Sequence, residues 1–136
     1  MRRISVRQMQ KQWKRLPDGE LAVMQALWDA GRPLLRAELD AAVGRANGWA
    51  PQVLVTMLAR LEKKAFVTRE KAGRGYLYAA AVGREEYLAS ESESLLEKLY
   101  GGRPAGFIAA LQQAKGLSAR DIAELEQILQ KAKEEL

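Results

Sequence analysis

The chain of 136 residues contains neither cysteine nor histidine, which removes most of the side chains that catalysis and metal binding use. There is no thiol nucleophile, no disulfide, no thiolate metal site and no imidazole to act as a general base near neutral pH. Glu93 and Glu97 lie one helical turn apart, but like charges at that spacing are typical of a solvated surface. The serines have no histidine to activate them, and no glycine-rich phosphate loop occurs. We therefore expect a protein that is not an enzyme and that holds no metal or cofactor.

The basic residues are concentrated in the N-terminal part of the chain. The net charge is +5, but residues 1–82 carry 15 Lys/Arg against 7 Asp/Glu, whereas residues 83–136 carry 7 against 10. Opposite charge in the two parts suggests two roles, with the basic part facing nucleic acid, because clustered cations release the counterions condensed on its phosphates. A solvated surface that is merely basic is the alternative that charge alone leaves open.

Residues 1–16 form a basic N-terminal extension with six Lys/Arg and no acidic residue. The segment is compatible with an arm along a DNA backbone, an anchor on an anionic membrane, or a tail or helix packed on its own domain, and the sequence does not decide among them. No apolar segment follows that would make it a secretory signal, and the longest apolar run, Tyr76–Val82, has seven residues. We expect a soluble, cytoplasmic protein without membrane insertion.

Residues 17–82 carry the pattern of three helices followed by a β-hairpin. The helices are predicted from about residues 17 to 30, from 35 to 43, and from Pro51 onward, where Leu54, Met57, Leu58 and Leu61 form a buried face. Strands at 66–69 and 76–79 flank a glycine-rich, basic turn. This order is typical of a winged helix-turn-helix, whose third helix enters the major groove while the hairpin tip contacts the flanking backbone.

The acidic C-terminal part, residues 83–136, has apolar residues at helical spacing but too little length to form a core of its own. We expect its helices to pack against a second copy of the chain as an interleaved dimer. Folding back onto the N-terminal domain is the alternative. The apolar side chains expected in the dimer interface are Tyr87, Leu88, Leu95, Leu96, Leu99, Tyr100, Phe107, Ile108, Leu111, Ile122, Leu125, Ile128 and Leu129.

Several segments of the chain together match the pattern of one known family. They are Asp18–Trp28 (DGELAVMQALW), Trp49–Lys64 (WAPQVLVTMLARLEKK), Gly73–Tyr78, Leu95–Gly102 and Leu117–Leu129. Over residues 17 to 133 the chain resembles the BlaI/MecI/CopY family of penicillinase repressors, and the combination is far more specific than any single segment.

The resemblance implies a mainly α-helical protein with a small β-hairpin wing, built from an N-terminal winged helix-turn-helix and a C-terminal helical dimerisation domain. It also implies a homodimeric transcriptional repressor that binds an inverted-repeat DNA operator. In the antibiotic-resistance branch, a membrane sensor triggers proteolysis of the repressor, and the matching region here is Phe107–Leu111. The copper branch uses C-terminal cysteines, which this chain lacks. A winged helix that binds a protein instead of DNA is the competing interpretation.

The resemblance also identifies candidate DNA contacts. The family's recognition helix commonly begins Trp-Ser-Pro-Lys-Thr, whereas this chain has Trp49–Val53 as WAPQV, so that Ala50 cannot cap the helix with a hydroxyl and Val53 is suited to a thymine methyl. We expect base-edge contacts from Gln52, Val53 and Thr56. We expect phosphate contacts from Arg60, Lys71 and Arg74, with Arg36 and Lys64 as further candidates.

Overall fold

A computed structural model describes residues 13–136. The chain divides into two compact units, the first ending at Ser92 and the second running from Glu93 to Leu136. Its regular elements in chain order are α1 (Asp18–Ala30), β1 (Leu34–Leu35), α2 (Arg36–Leu39), α3 (Pro51–Lys63), β2 (Val67–Ala72), β3 (Gly75–Ala80), α4 (Arg84–Tyr100), α5 (Pro104–Ala114) and α6 (Ala119–Glu134). A π-helical turn and a 3-10 turn extend α2 to residue 47. Between residues 13 and 136, no helix is both long and apolar enough to cross a bilayer.

The predicted fold class is confirmed: three helices precede a β-hairpin in the first unit, and further helices follow. The second helix differs from its prediction, because Leu34 and Leu35 form a short strand and the helix begins only at Arg36. Leu34 pairs with Tyr78 of β3, which gives an antiparallel sheet in the order β1, β3, β2. The hairpin strands are also longer than predicted, so that only Gly73 and Arg74 remain in the turn. Gly73 has a φ of 62°, a conformation that glycine adopts without strain.

The core of the first unit is built mainly from aliphatic side chains of α1, α2, α3 and the sheet. Val23, Met24, Leu39 and Leu61 are fully buried, and Leu54 and Leu58 are nearly so. The core extends beyond residues 17–82 at both ends, because Leu16 is 3% exposed and Tyr87 of α4 is 2% exposed. The first turns of α4 are therefore part of the winged-helix unit.

The segment before α1 is held against α4 by two backbone hydrogen bonds. The Trp13 N–H donates to Ser90 Oγ at 3.0 Å, and the Leu16 N–H donates to the Tyr87 hydroxyl at 2.8 Å. The Tyr87 ring also contacts Phe66, with centroids 5.8 Å apart. Burial raises the pKa of Tyr87, because desolvation disfavours its phenolate. Tyr87 thus belongs to the core of this unit, and we leave it out of the dimer interface proposed below.

Candidate nucleic-acid interface

Helix α3 buries one face and presents the other to solvent. Proline at position 51 suits the first helical position, where a missing N–H costs nothing. Leu54, Leu58 and Leu61 anchor the helix, with exposures of 1%, 2% and 0%. No side chain caps the helix at Ala50, as the sequence predicts. The buried leucines fix the rotation of α3, and this rotation decides which side chains point outward.

The three predicted base-contacting residues lie together in the first half of α3. Gln52 is exposed, and Val53 and Thr56 are half-buried. The Thr56 hydroxyl donates to the backbone carbonyl of Gln52 at 3.0 Å. Because its proton is used in this bond, Thr56 presents oxygen lone pairs, which suit an amino-group donor such as adenine N6 or cytosine N4.

Four predicted phosphate contacts are exposed cations without an acidic partner within residues 13–136, namely Arg36, Arg60, Lys71 and Arg74. Arg60 lies on the outward face of α3, Arg36 begins α2, and the other two lie on the hairpin that forms the wing. A groove of about 660 Å³ runs between α2, the start of α3 and the wing, and both Arg36 and Arg74 line it. Asp40 also lines this groove, but its carboxylate pairs with Arg45 at 3.1 Å. The groove therefore combines two cations that have no ion-pair partner among the described residues with one carboxylate that is paired with Arg45.

Lys64, in contrast, forms an ion pair inside the first unit. Its Nζ lies 2.5 Å from Oε1 of Glu20, whose side chain is 2% exposed. A buried carboxylate needs a cationic partner, so the pair ties the end of α3 to the first turn of α1. The Lys64 ammonium is already engaged, and we leave this residue out of the interface proposed below.

Arg69 of β2 also lies at this surface and is not among the contacts predicted from the sequence. Its Nε lies 3.0 Å from Oε2 of Glu62 in the last turn of α3, and its guanidinium lies over the ring of Tyr76, 4.4 Å from the centroid. Strand alternation places Arg69 on the same face as Lys71, but its partners become neighbours only through the fold. The sequence holds no local signal for this contact.

The second unit, taken by itself, buries none of its side chains between Glu93 and Leu136. Leu99 is 62% exposed, and Ile122, Ile128 and Leu129 of α6 are 45%, 64% and 62% exposed. The other predicted interface residues of this unit are half-buried: Leu95, Leu96, Tyr100, Phe107, Ile108, Leu111 and Leu125. Leu88, which belongs to the first unit, is 49% exposed. The second unit therefore leaves apolar area open along one side of α6.

Residues 16–131 match the sequence model of the penicillinase repressor family, and this match decides the family. The chain belongs to the penicillinase repressor family. The resemblance predicted from the sequence is thereby confirmed, and so is the prediction that the protein is no enzyme, since the family consists of repressors. Within this family, the chain is a winged-helix transcriptional repressor.

Curated relatives extend along most of the chain. The penicillinase repressor of Bacillus licheniformis is 29% identical over 123 residues, which cover 90% of this chain and 95% of the relative. The methicillin resistance regulatory protein MecI of Staphylococcus aureus is 29% identical over 83 residues, covering 61% and 68%.

Two solved structures are also similar to part of the chain. The DNA-binding domain of the repressor BlaI is 29% identical, with a TM-score of 0.49, and the match covers 53% of this chain and 87% of that one. The Bacillus licheniformis BlaI monomer in complex with the blaP half-operator is 28% identical, with a TM-score of 0.47 and coverages of 54% and 89%.

Proposed function

We propose that the protein is a homodimeric repressor that binds an inverted-repeat DNA operator, with α3 of each copy in the major groove and the wing on the flanking backbone. One observation carries this proposal: α3 buries its leucines and presents Gln52 and Thr56 outward, beside the exposed cations Arg60 and Arg74. A helix that fits the major groove can bring polar side chains to the base edges, and cations beside it can contact the phosphates. The blaP half-operator complex of the related BlaI supports the same class of partner.

The proposal divides the chain into two roles. The first unit binds DNA, and the second joins two copies, because its exposed apolar side chains require cover that residues 13–136 of a single copy do not supply. A dimer places two α3 helices on two half-sites, so that the second half-site binds at a high effective concentration. Loss of the second unit would then leave weakly binding monomers.

Selection from a randomised pool of duplex DNA, carried out with the full chain at two salt concentrations, tests the proposal. We expect an enriched inverted repeat and an affinity that falls steeply with salt, by a slope of about 0.9 for each phosphate contacted. Salt-sensitive binding without any enriched sequence would indicate a non-specific basic surface. No binding at all would favour a winged helix that docks a protein.

The dimer is tested separately by Leu129→Glu, with Gln130→Glu as the matched control on the adjacent position of α6. A charge in a buried apolar contact should weaken dimerisation by at least about thirtyfold, a loss of about 2 kcal/mol that is typical of a hot-spot residue. The same charge at exposed Gln130 should leave the dimer intact. Sedimentation equilibrium measures both, and equal behaviour of the two variants would contradict the proposed interface.

We further propose that an inducing signal relieves repression through a cut in the second unit, made by a protease or sensor-linked partner. The segment Phe107–Leu111 lies within helix α5, and a protease binds its substrate in extended form, so this helix must open locally before cleavage. Incubation with extract of induced cells, followed by intact-mass spectrometry, tests the idea. We expect fragments that end within α5, and an intact chain would count against proteolysis.

A further inference from the structure

Arg69 lies between the recognition helix and the wing. Its Nε is 3.0 Å from Oε2 of Glu62 on α3, and its guanidinium covers the ring of Tyr76 on β3 at 4.4 Å. The side chains of Arg69 and Glu62 are 44% and 40% exposed. One cation therefore joins the last turn of α3 to both strands of the hairpin.

The register of the hairpin explains why these groups meet. Arg69 stands opposite Tyr78, and Tyr76 stands opposite Lys71, so that Arg69 and Tyr76 are diagonal neighbours on one face of the sheet. Val67 lies on this same face and is buried in the core, which shows that the face is directed toward the helices. The stacked guanidinium thus fills the position where the hairpin leaves the core.

The outer part of the hairpin has no anchor in the core. From Thr68 to Tyr76 no side chain is buried, and Lys71 and Arg74 are exposed. The contact through Arg69 lies at the base of this segment and fixes it laterally against α3. Unlike Lys71 and Arg74, Arg69 has its charge balanced by a carboxylate at hydrogen-bond distance.

We propose that Arg69 is a positioning residue for DNA binding, which acts through the wing by holding it at the angle that lets Lys71 and Arg74 reach the operator backbone. This inference rests on the proposed function. It assigns to Arg69 a role distinct from that of a phosphate contact, although both are basic residues of the same hairpin.

A double-mutant cycle in the full chain tests the inference. Arg69→Ala should weaken operator binding by about threefold to tenfold, the range expected from an exposed cation–π contact and an exposed ion pair together. In a background that carries Lys71→Ala and Arg74→Ala, Arg69→Ala should reduce operator affinity by less than about twofold, because the wing then has no phosphate contact left to position. If Arg69 contacts a phosphate directly, Arg69→Ala should reduce operator affinity by the same factor in both backgrounds. That result would overturn the inference.

Salt dependence and a conservative variant give further criteria. Arg69→Ala should leave the salt slope unchanged, because its wing still reaches the same phosphates once bound and only the free-energy cost of ordering the wing rises, whereas Lys71→Ala should lower the slope by about 0.9 per copy. Arg69→Lys should lose as much affinity as Arg69→Ala, because an ammonium lacks the planar fork that stacks on Tyr76 while it binds Glu62. A reduced slope for Arg69→Ala, or full affinity for Arg69→Lys, would contradict a positioning role.

Hydrogen exchange separates this inference from the proposed function, because it requires no DNA. Arg69→Ala should speed exchange of the amides of β2 and β3 between residues 68 and 76, and leave those of α1 unchanged. Unchanged exchange in the hairpin would overturn the inference even if the wild-type chain binds its operator. A wild-type chain that binds no DNA would refute the proposed function, and the exchange measurement would still show whether Arg69 holds the wing.

Discussion

Replacement of Tyr87 tests whether this side chain stabilises the first unit or the dimer. Its side chain is 2% exposed, its ring contacts Phe66 and Trp28, and its hydroxyl accepts the Leu16 N–H. Tyr87→Ala removes a buried aromatic ring and should lower the free energy of unfolding by about 3–5 kcal/mol. Tyr87→Phe keeps the ring but leaves a buried N–H without an acceptor, which should cost about 1–3 kcal/mol.

Urea unfolding at several protein concentrations distinguishes the two roles. A core residue changes the free energy of unfolding equally at every concentration, whereas an interface residue acts through a dimer whose population depends on concentration. Leu88→Ala is the matched control, because Leu88 is the next residue of α4 and is 49% exposed. We expect it to change the free energy of unfolding of the first unit by less than about 1 kcal/mol.

The raised pKa of Tyr87 adds a pH dependence to this prediction. The unfolded chain ionises this phenol near its ordinary pKa of 10, below the pKa in the folded state, so stability should fall as pH rises above 10. Tyr87→Phe should show a shallower fall over the same range. If Tyr87→Ala changes only the dimer dissociation constant and leaves the concentration-independent stability untouched, Tyr87 is an interface residue and the assignment to the core is refuted.

Three further predictions concern stability. Lys64→Ala should lower the free energy of unfolding by about 1–3 kcal/mol, because it leaves the buried Glu20 carboxylate without its cation, and Lys64→Arg should restore most of the loss in the same urea titration. Ala50→Ser should raise stability by about 0.5–2 kcal/mol by capping α3, and an unchanged melting temperature would contradict this. Hydrogen bonds from the backbone and side chain of Ser118 lower the pKa of Asp121, so Asp121→Ala should destabilise α6 at pH 7. The difference in thermal stability between the wild-type chain and Asp121→Ala should vanish as pH falls through the pKa of Asp121 in the folded state, which lies below the ordinary 3.8. A difference that stays constant down to about pH 2 would contradict this prediction.

The elements of the first unit could be predicted where local chemistry determines them. Helix α3 could be predicted from Pro51 and from the helical spacing of Leu54, Leu58 and Leu61, because both features are present in the sequence itself. The strand at Leu34 and Leu35 could not be predicted in this way. Two residues carry no periodicity, and only pairing with β3 makes them a strand.

The partner of a side chain is the part that the sequence does not determine. Tyr87 lies at helical spacing with other apolar residues, so the period predicts that it packs against apolar side chains. The period does not show whether these belong to the same chain or to a second copy. The same holds for Lys64 and Arg69, two basic residues near exposed cations. Their acidic partners, Glu20 and Glu62, identify them as internal contacts only when the fold brings the pairs together.

The central claim is that α3 contacts base edges while the wing contacts the phosphate backbone. The most direct measurement compares Thr56→Ala with Arg74→Ala, by affinity for the selected operator and for an unrelated duplex over a range of salt. Arg74→Ala should weaken both affinities by the same factor and lower the salt slope by about 0.9 per copy. Thr56→Ala should reduce the ratio of the affinity for the operator to the affinity for the unrelated duplex, and leave the salt slope unchanged. Equal loss of discrimination from both variants would contradict the claim.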